Sequence, residues 1–309
     1  MAIFTLVQEW KIWPEGAICD CVIIECLIFA GFFVPIVDLH CHSTASDGVL
    51  SPTEVVRRAA GNGVDLLSLT DHDDLSGQAE AAEAARQLGM QFVTGVEISL
   101  EWGGGQVHLL GYSVDTSNAA LIAGLESIHL GRIERAKRMA AALEKIGIGG
   151  CFDGAMRYAE NPLVISRAHF ARYLVEQRVC KDVRSVFDAY LVPGKPGYVE
   201  HLWPTLAESL GWVIGAGGVG AIAHPGRYSL SRAQMRKMLE EFKALGGQAI
   251  EVVSGSHSVD NVNLFGRLAK EYEFMATCGS DFHGPDESYV DLGRIDPLPV
   301  GLTPIWEAF

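Results

Sequence analysis

The chain has 309 residues, of which 49% are hydrophobic, a size and composition that suffice for one barrel-sized domain, a smaller second domain and a sizeable core. Its formal net charge is −14, from 38 acidic and 24 basic side chains. This balance argues against a protein that holds long duplex nucleic acid through a broad basic face, and it is compatible with a small anionic substrate held by a few Arg and Lys residues.

Residues 1–35 are interpreted as an N-terminal extension outside the fold. Their apolar stretch continues to residue 37, but the run of residues 26–37 is shorter than the ~20 residues that a membrane-spanning helix needs. We therefore expect no membrane partner, with a membrane-associated segment as the alternative. The cysteines are odd in number and lack paired C-x-x-C spacing, which argues against a disulfide framework and favours a cytoplasmic location.

The first predicted helix begins at residues 51–54, Ser-Pro-Thr-Glu, where Ser51 can cap the helix and Glu54 can reach back to it. A second helix is predicted over residues 78–88, ending at Gly89 before a strand at residues 91–94. Alternation of strands and helices predicts a parallel sheet with crossover helices.

Residues 115–200 are predicted to form an inserted helical domain between the barrel parts 36–114 and 201–309. Its long first helix, at residues 118–146, carries a basic patch. Further helices are expected at residues 167–176 and 181–190. The basic patch of the long first helix consists of Arg132, Arg135, Lys137 and Arg138. After the insert, the barrel resumes with predicted strands at residues 220–223, 250–253 and 274–277 and predicted helices at residues 231–245 and 259–272.

His40 and His42 follow the apolar run of residues 36–39. In an extended strand, residues i and i+2 point the same way, so both imidazoles can reach one metal ion. More His, Asp and Glu residues lie at or just beyond other short apolar runs, which places metal-ligand types at one end of several strands. A nitrogen and oxygen set without thiolates suits manganese, iron or zinc. The further residues are Asp47, Asp71, His72, Asp73, Glu97, His108, His224, Asp281 and His283.

Between residues 36 and 293 the motifs H-x-H, S-D-G, T-D-H-D, G-V-E-I-S, V-H-L-L-G-Y, A-H-P-G-R and S-D-F-H occur in this order. The arrangement resembles the PHP family, named for polymerase and histidinol phosphatase. The resemblance implies an α/β fold, a distorted and incomplete (β/α)7-type barrel with a small helical insert. The insert and residues 165–170 look like the branch that removes phosphate from 3′,5′-nucleoside bisphosphates and trims short RNA from its 5′ end.

The same resemblance implies two to three divalent metal ions, with manganese preferred and zinc or iron as alternatives. One ion would be held by His40, His42, Glu97 and Asp281. Glu97 would bridge to a second ion held by His108 and His224, and Asp47, His72 and His283 would hold the third.

Two histidines, His224 and His283, are the predicted proton donors to a leaving alkoxide, with a water molecule as the alternative. Asp71 is expected to orient a neighbouring ligand. Five residues are predicted to contact the substrate. Arg167 and His169 would clamp a second phosphate near the start of a helix that Ser166 caps. The five residues are Ser166, Arg167, His169, Lys195 and Arg227.

The leading hypothesis is therefore a metal-dependent phosphatase for 3′,5′-nucleoside bisphosphates that extends to 5′ to 3′ exonuclease action on short oligonucleotides. Its expected partners are a small nucleotide substrate and short oligonucleotides. The alternative is a phosphatase for another small ester of the histidinol phosphate type. A non-catalytic metal-bearing module is disfavoured, because this chain contains no polymerase portion and its ligand set is complete.

Overall fold

The computed structural model describes residues 35–309, so the predicted extension lies outside the described residues apart from its last position. A single sheet of seven strands is paired in sequence order. The strands are β1 Val37–Asp38, β2 Leu66–Leu69, β3 Gln91–Trp102, β4 Gly105–Tyr112, β5 Val219–Ile222, β6 Ala249–Ser254 and β7 Met275–Gly279.

In this sheet β1, β2 and β3 are parallel to one another, and so are β5, β6 and β7. Between these two groups, β4 runs antiparallel to its neighbours β3 and β5. Backbone hydrogen bonds beyond β1 and β7 join the two edges, from Leu39 N to Cys278 O at 3.0 Å and from His42 N to Phe282 O at 2.8 Å. A Cβ at Gly279 would lie 2.2 Å from that of His40, so glycine is needed for this approach. The predicted distorted barrel is confirmed.

Helices cover the strand connections. Their ends follow the local sequence, because Ser51 and Glu54 form the expected capping box and Gly89 adopts a left-handed conformation. The helix predicted at residues 181–190 is instead one short α-helix followed by a π-helix. The helices are α1 Pro52–Gly61, α2 Gln78–Leu88, α3 Ala119–Glu144, α4 Cys151–Met156, α5 Arg167–Glu176, α6 Val183–Val186, α7 Leu206–Gly215, α8 Arg232–Ala244 and α9 Val259–Tyr272, with 3-10 turns at Pro162–Val164, Pro225–Arg227 and Ile305–Ala308 and the π-helix at Phe187–Leu191.

The long helix α3 connects two hydrophobic clusters. Near its start Leu121 and Leu125 pack into the barrel core, whereas Met139 and Leu143 join a separate cluster with α5 and the π-helix. Residues 35–309 form one compact unit, and the boundaries of the helical insert stay a prediction. Within this unit, none of the helices has the length and apolar character needed to cross a membrane.

Candidate metal centre

The barrel brings the predicted ligands to one end of the sheet. His40 and His42 follow β1 directly, His224 follows β5, and Asp281 and His283 follow β7. His72 also comes just after its strand, β2. Glu97 differs from the expectation that it follows a strand ending at residue 94, because β3 continues to Trp102 and carries Glu97 in its interior. His108 occupies the neighbouring strand β4.

Glu97 lies fully buried at the centre of the cluster. Its Oε2 atom is 3.3 Å from the Nε2 atoms of both His40 and His42, and 3.0 Å from His72 Nδ1. Its Oε1 atom is 2.8 Å from His108 Nδ1 and from His224 Nε2. One carboxylate therefore contacts five histidines, the geometry expected of a residue that bridges metal ions.

Three groups of ligand atoms are close enough to hold an ion, with all atoms of a group within 4.8 Å of one another. The resemblance assigned His42 and His72 to one ion each, whereas in the structure each of them belongs to two groups. His224 belongs to none of the three groups, but its Nε2 atom contacts Glu97. The groups are His40, His42, Glu97 and Asp281; His72, Glu97 and His108; and His42, Asp47, His72 and His283.

Several buried polar atoms in this cluster have no hydrogen-bond partner within residues 35–309. They include His40 Nε2, His42 Nε2, Asp47 Oδ1, His72 Nδ1 and Glu97 Oε2. Buried polar atoms are costly to leave unsatisfied, yet these five converge on one another. Divalent cations would satisfy them, and the nitrogen and oxygen donors match manganese, iron or zinc. The residues therefore fit a centre of divalent metal ions.

Electrostatics keep the carboxylates of the cluster ionised but act in opposite directions on its histidines, because burial lowers the pKa of His72, whereas Asp281 and Glu97 raise the pKa of His42 to about 10 despite burial. Burial alone would raise the pKa of Glu97, but the neighbouring His72 and His108 outweigh it and hold that pKa well below its usual range. In the same way His40 and His42 hold the pKa of Asp281 well below normal despite burial. Burial lowers the pKa of His72 well below 6.5. Ionised carboxylates and a neutral imidazole are the forms that bind metals.

Strained backbone accompanies the cluster. His224 and Asp281 have φ angles of 24° and 55°, in the left-handed region that non-glycine residues avoid. Such conformations cost about 1–3 kcal/mol each and persist only where the surroundings enforce them. Glu251 supplies part of that enforcement, since its carboxylate accepts from the His224 backbone N–H and lies 2.9 Å from His40 Nδ1.

Glu251 was not predicted from the sequence. It is fully buried in β6, whose other residues are all apolar except the terminal Ser254. A charged residue inside such a run is the signal that could have found it, because carboxylates are rarely buried without a partner.

Asp71 does not join the ligand cluster. Its carboxylate accepts hydrogen bonds from Ser43 N at 2.7 Å, from Ser43 Oγ at 2.7 Å and from Ser46 Oγ at 2.6 Å. These contacts fix the loop that leads to Asp47. Asp71 therefore positions this loop, and its effect on a neighbouring ligand stays a prediction.

A cavity of about 210 Å³ opens against the cluster. Arg167 lines it and donates to Leu191 O and Gln106 Oε1, both at 3.3 Å. Ser166 donates from Oγ to Asp47 Oδ2 at 2.8 Å, and Arg227 donates to Asp281 Oδ2 at 2.6 Å. Three of the five predicted substrate residues thus border the cavity.

The other two predicted substrate residues, His169 and Lys195, lie outside the cavity lining. His169 is buried, and its Nδ1 accepts from Ser166 N as part of the cap of α5. Burial lowers its pKa to about 4, so the ring is neutral at pH 7. Lys195 is exposed in the turn after the π-helix. Neither residue lines the cavity, and the predicted phosphate contacts of both stay predictions.

Two arginines of α3, Arg132 and Arg135, line the cavity as well. The predicted basic patch is divided, because Lys137 and Arg138 are exposed whereas Arg132 and Arg135 are buried and line the cavity. Arg132 pairs with Asp73. Arg135 is only 5% exposed and donates to Val199 O at 3.1 Å, with no carboxylate within 4.0 Å in the described part of the chain. Burial, together with Arg167 and Arg132, lowers its pKa to about 9.

An incomplete barrel with a histidine and carboxylate cluster at one end, facing uncompensated guanidinium groups, defines a metal-dependent hydrolase. The family model described as the PHP domain matches residues 38–192. The chain belongs to the PHP domain family. The resemblance drawn from its motifs is thereby confirmed.

Relatives extend this match over nearly the whole chain. A 3′,5′-nucleoside bisphosphate phosphatase from Chromobacterium violaceum is 52% identical over 270 residues, which cover 87% of this chain and 95% of that protein. A 5′-3′ exoribonuclease from Haemophilus influenzae is 40% identical over 272 residues, covering 88% and 98%. A solved structure of an amidohydrolase from Chromobacterium violaceum, with bound sulfate and no metal, has a TM-score of 0.86 at 52% identity and covers 88% of this chain and 95% of its own.

Proposed function

We propose that this protein is a metal-dependent phosphoric monoester hydrolase that removes the 3′-phosphate from 3′,5′-nucleoside bisphosphates, such as adenosine 3′,5′-bisphosphate, and leaves the nucleoside 5′-monophosphate. One observation carries the proposal. A single cavity is lined both by the metal-ligand cluster and by the guanidinium groups of Arg135 and Arg167, which have no carboxylate partner among residues 35–309. The metal-ligand side, which we call the barrel wall, suits one phosphate of the substrate. The side with Arg135 and Arg167, which we call the insert wall, suits the other.

The barrel wall would hold the reacting phosphate. His40, His42, Glu97 and Asp281 are the proposed ligands of one ion, His108 and His224 join Glu97 around a second, and Asp47, His72 and His283 surround a third. When bound, divalent ions supply a water molecule of lowered pKa and offset charge on the phosphoryl oxygens. Manganese is the proposed metal, with zinc or iron as alternatives for this donor set.

The insert wall would hold the phosphate that does not react. Arg135 and Arg167 present guanidinium groups, which bind phosphate through two parallel N–H donors. Their mutual repulsion falls when a dianion lies between them, because it supplies the missing counter-charge. Ser166 orients Asp47, and Arg227 orients Asp281, so both ends of the cavity are fixed before substrate binds.

The leaving 3′-oxygen needs a proton. Of the two predicted donors, His283 is better placed, because it lines the cavity and its side chain is 22% exposed, whereas the His224 side chain is 3% exposed and does not line it. The Nδ1–H of His283 donates to Asp281 O at 3.0 Å, which directs Nε2 toward Asp47. His283 can donate from Nε2 only in a state in which that atom is protonated and holds no metal.

The same chemistry extends to short oligonucleotides. Release of the first nucleotide from a 5′-phosphorylated strand breaks the bond between its 3′-oxygen and phosphorus, and it leaves a nucleoside 5′-monophosphate. We propose this 5′ to 3′ exonuclease action as a second activity of the same site. The net charge of −14 disfavours long duplex partners, and we propose a cytoplasmic location without a membrane partner.

A substrate panel tests the assignment. Protein freed of metal is reconstituted separately with manganese, zinc and iron, and assayed with adenosine 3′,5′-bisphosphate, histidinol phosphate and an aryl phosphate. The expected result is metal-dependent turnover with the highest kcat/KM for the bisphosphate. A preference for histidinol phosphate would overturn the nucleotide assignment and keep only the metal-dependent phosphatase. Full activity in chelator would overturn both.

A further inference from the structure

Two aromatic side chains at the cavity have no part in the chemistry described so far. Phe187 begins the π-helix of the insert, and Tyr289 lies in the segment after β7. Both line the same cavity as His283 and Arg167. Tyr289 is 70% exposed, which leaves most of a large ring in contact with solvent at a site where a ligand binds.

Phe187 is held close to the proposed phosphate-binding residues. The guanidinium of Arg167 lies 5.7 Å from the centre of the Phe187 ring, and the same group donates to Leu191 O at the end of the π-helix. π-helical turns are rare and occur often at functional sites. Ala168 and Val183 continue this wall with small apolar side chains.

Tyr289 approaches the insert from the barrel side. The guanidinium of Arg184, in α6, lies 5.8 Å from the centre of the Tyr289 ring. The aromatic surfaces of Phe187 and Tyr289 thus belong to opposite parts of the chain and contribute to one cavity. A nucleoside bisphosphate consists of two phosphates, a ribose and a base, and the base is the part with a large flat surface suited to an aromatic contact.

We propose that Phe187 and Tyr289 form a nucleobase slot in which the base stacks without being identified by hydrogen bonds. This inference rests on the proposed function. The amide that lines the cavity, Gln106, is engaged with His108 and Arg167, and Glu287 is paired with Arg172. Stacking on aromatic rings accepts every base, because each base has a π-face.

The test compares adenosine 3′,5′-bisphosphate with ribose 3,5-bisphosphate, which keeps both phosphates and lacks the base. The wild-type protein is expected to prefer the nucleotide by roughly five- to a hundredfold in kcat/KM, the range of one to two stacking contacts. Tyr289→Ala should lower this ratio by fivefold or more, about the value of one contact. Tyr289→Phe keeps the ring and should keep the ratio. Val300→Ala, at an exposed position that does not line this cavity, is the surface control.

The outcomes separate this inference from the proposed function. If neither bisphosphate is hydrolysed, the proposed function fails. If the wild type hydrolyses both equally well, or if Tyr289→Ala leaves the ratio unchanged, the slot is wrong while the phosphatase assignment stands. Adenosine, guanosine, cytidine and uridine bisphosphates should differ by less than about tenfold, and a larger spread would show that the base is read by hydrogen bonds. Phe187→Leu, at a partly buried position, removes the second ring and should also lower the ratio.

Discussion

The two walls of the cavity differ in their side chains and in the secondary structure that carries them. The barrel wall consists of short side chains on strands or directly after them, buried and in part on strained backbone, as at His224 and Asp281. The insert wall consists of long side chains on helices, such as Arg135 and Arg167. Short side chains on strained backbone lose little freedom when they bind a metal, whereas long ones adjust to a substrate. The comparison supports our proposal that the reaction takes place at the barrel wall and that the insert wall selects the substrate.

Asp73 joins the two walls. Its Oδ1 accepts from Ser99 N in β3 at 2.6 Å, and its Oδ2 accepts from Arg132 in α3. Its backbone oxygen is 2.7 Å from His129 Nε2, also in α3. Asp73 has a φ angle of 53° and directly follows His72. This residue therefore ties the position of the insert to that of the metal ligands.

The largest expected effect falls on the barrel wall. His40→Ala and Asp281→Ala each remove a proposed ligand of the same ion, so kcat should fall roughly a thousandfold or more. Both residues lie at the end of the barrel, and circular dichroism should show retained secondary structure. Metal content measured by plasma mass spectrometry should fall in parallel with activity. Active variants with unchanged metal content would remove these residues from the centre.

Breaking the link between the walls should cost stability. Arg132→Met leaves Asp73 as a buried charge without its partner, and the free energy of unfolding should fall by about 3–5 kcal/mol in a urea titration. The double variant Asp73→Asn with Arg132→Met removes both charges and should recover part of the loss. A double variant as unstable as the single one would indicate that packing, not charge, dominates here.

Positioning of the ligands gives an intermediate effect. Glu251→Gln weakens the contacts that orient His40 and the His224 backbone, and metal affinity should fall roughly ten- to a hundredfold. At saturating metal, kcat should recover most of its value, because the ligands themselves remain. A loss of kcat that excess metal cannot restore would instead place Glu251 closer to the chemistry.

A substitution in the insert wall should change the preference between substrates and leave the hydrolysis step intact. Arg167→Ala removes a charge-assisted contact worth about 1.5–3 kcal/mol, which predicts a ten- to hundredfold fall in kcat/KM for adenosine 3′,5′-bisphosphate. A simple aryl phosphate has no second phosphate and should be nearly unaffected. Equal losses for both substrates would contradict the division of labour between the two walls.

The smallest effect is expected outside both walls. Deletion of residues 1–34 should leave kcat/KM unchanged, because every proposed ligand and substrate contact lies at residue 40 or later. The measurement uses the truncated chain with a confirmed metal content. An inactive truncation that folds and retains its metals would show that these residues contribute to the site.

The sequence by itself determined the barrel wall. His40 and His42 share a strand face through a two-residue repeat, and the helix start at Ser51 follows from a four-residue pattern. Such signals act over a few neighbouring residues, so they can be recognised before the chain is folded. The order of the motifs then predicted one shared end of the sheet for most of the ligands, whereas the place of Glu97 inside β3 was found only in the structure.

Only the tertiary structure decided which residues join the predicted Arg167 in the insert wall. Arg132, Arg135, Lys137 and Arg138 are the same kind of residue on one helix, and their different burial depends on which face of α3 packs against distant segments such as Trp203 and Asp73. The same dependence made His169 a helix cap and left Lys195 exposed, although both have a charge or ring suited to phosphate. Burial is a property of contacts between residues far apart in sequence, and local patterns do not encode it.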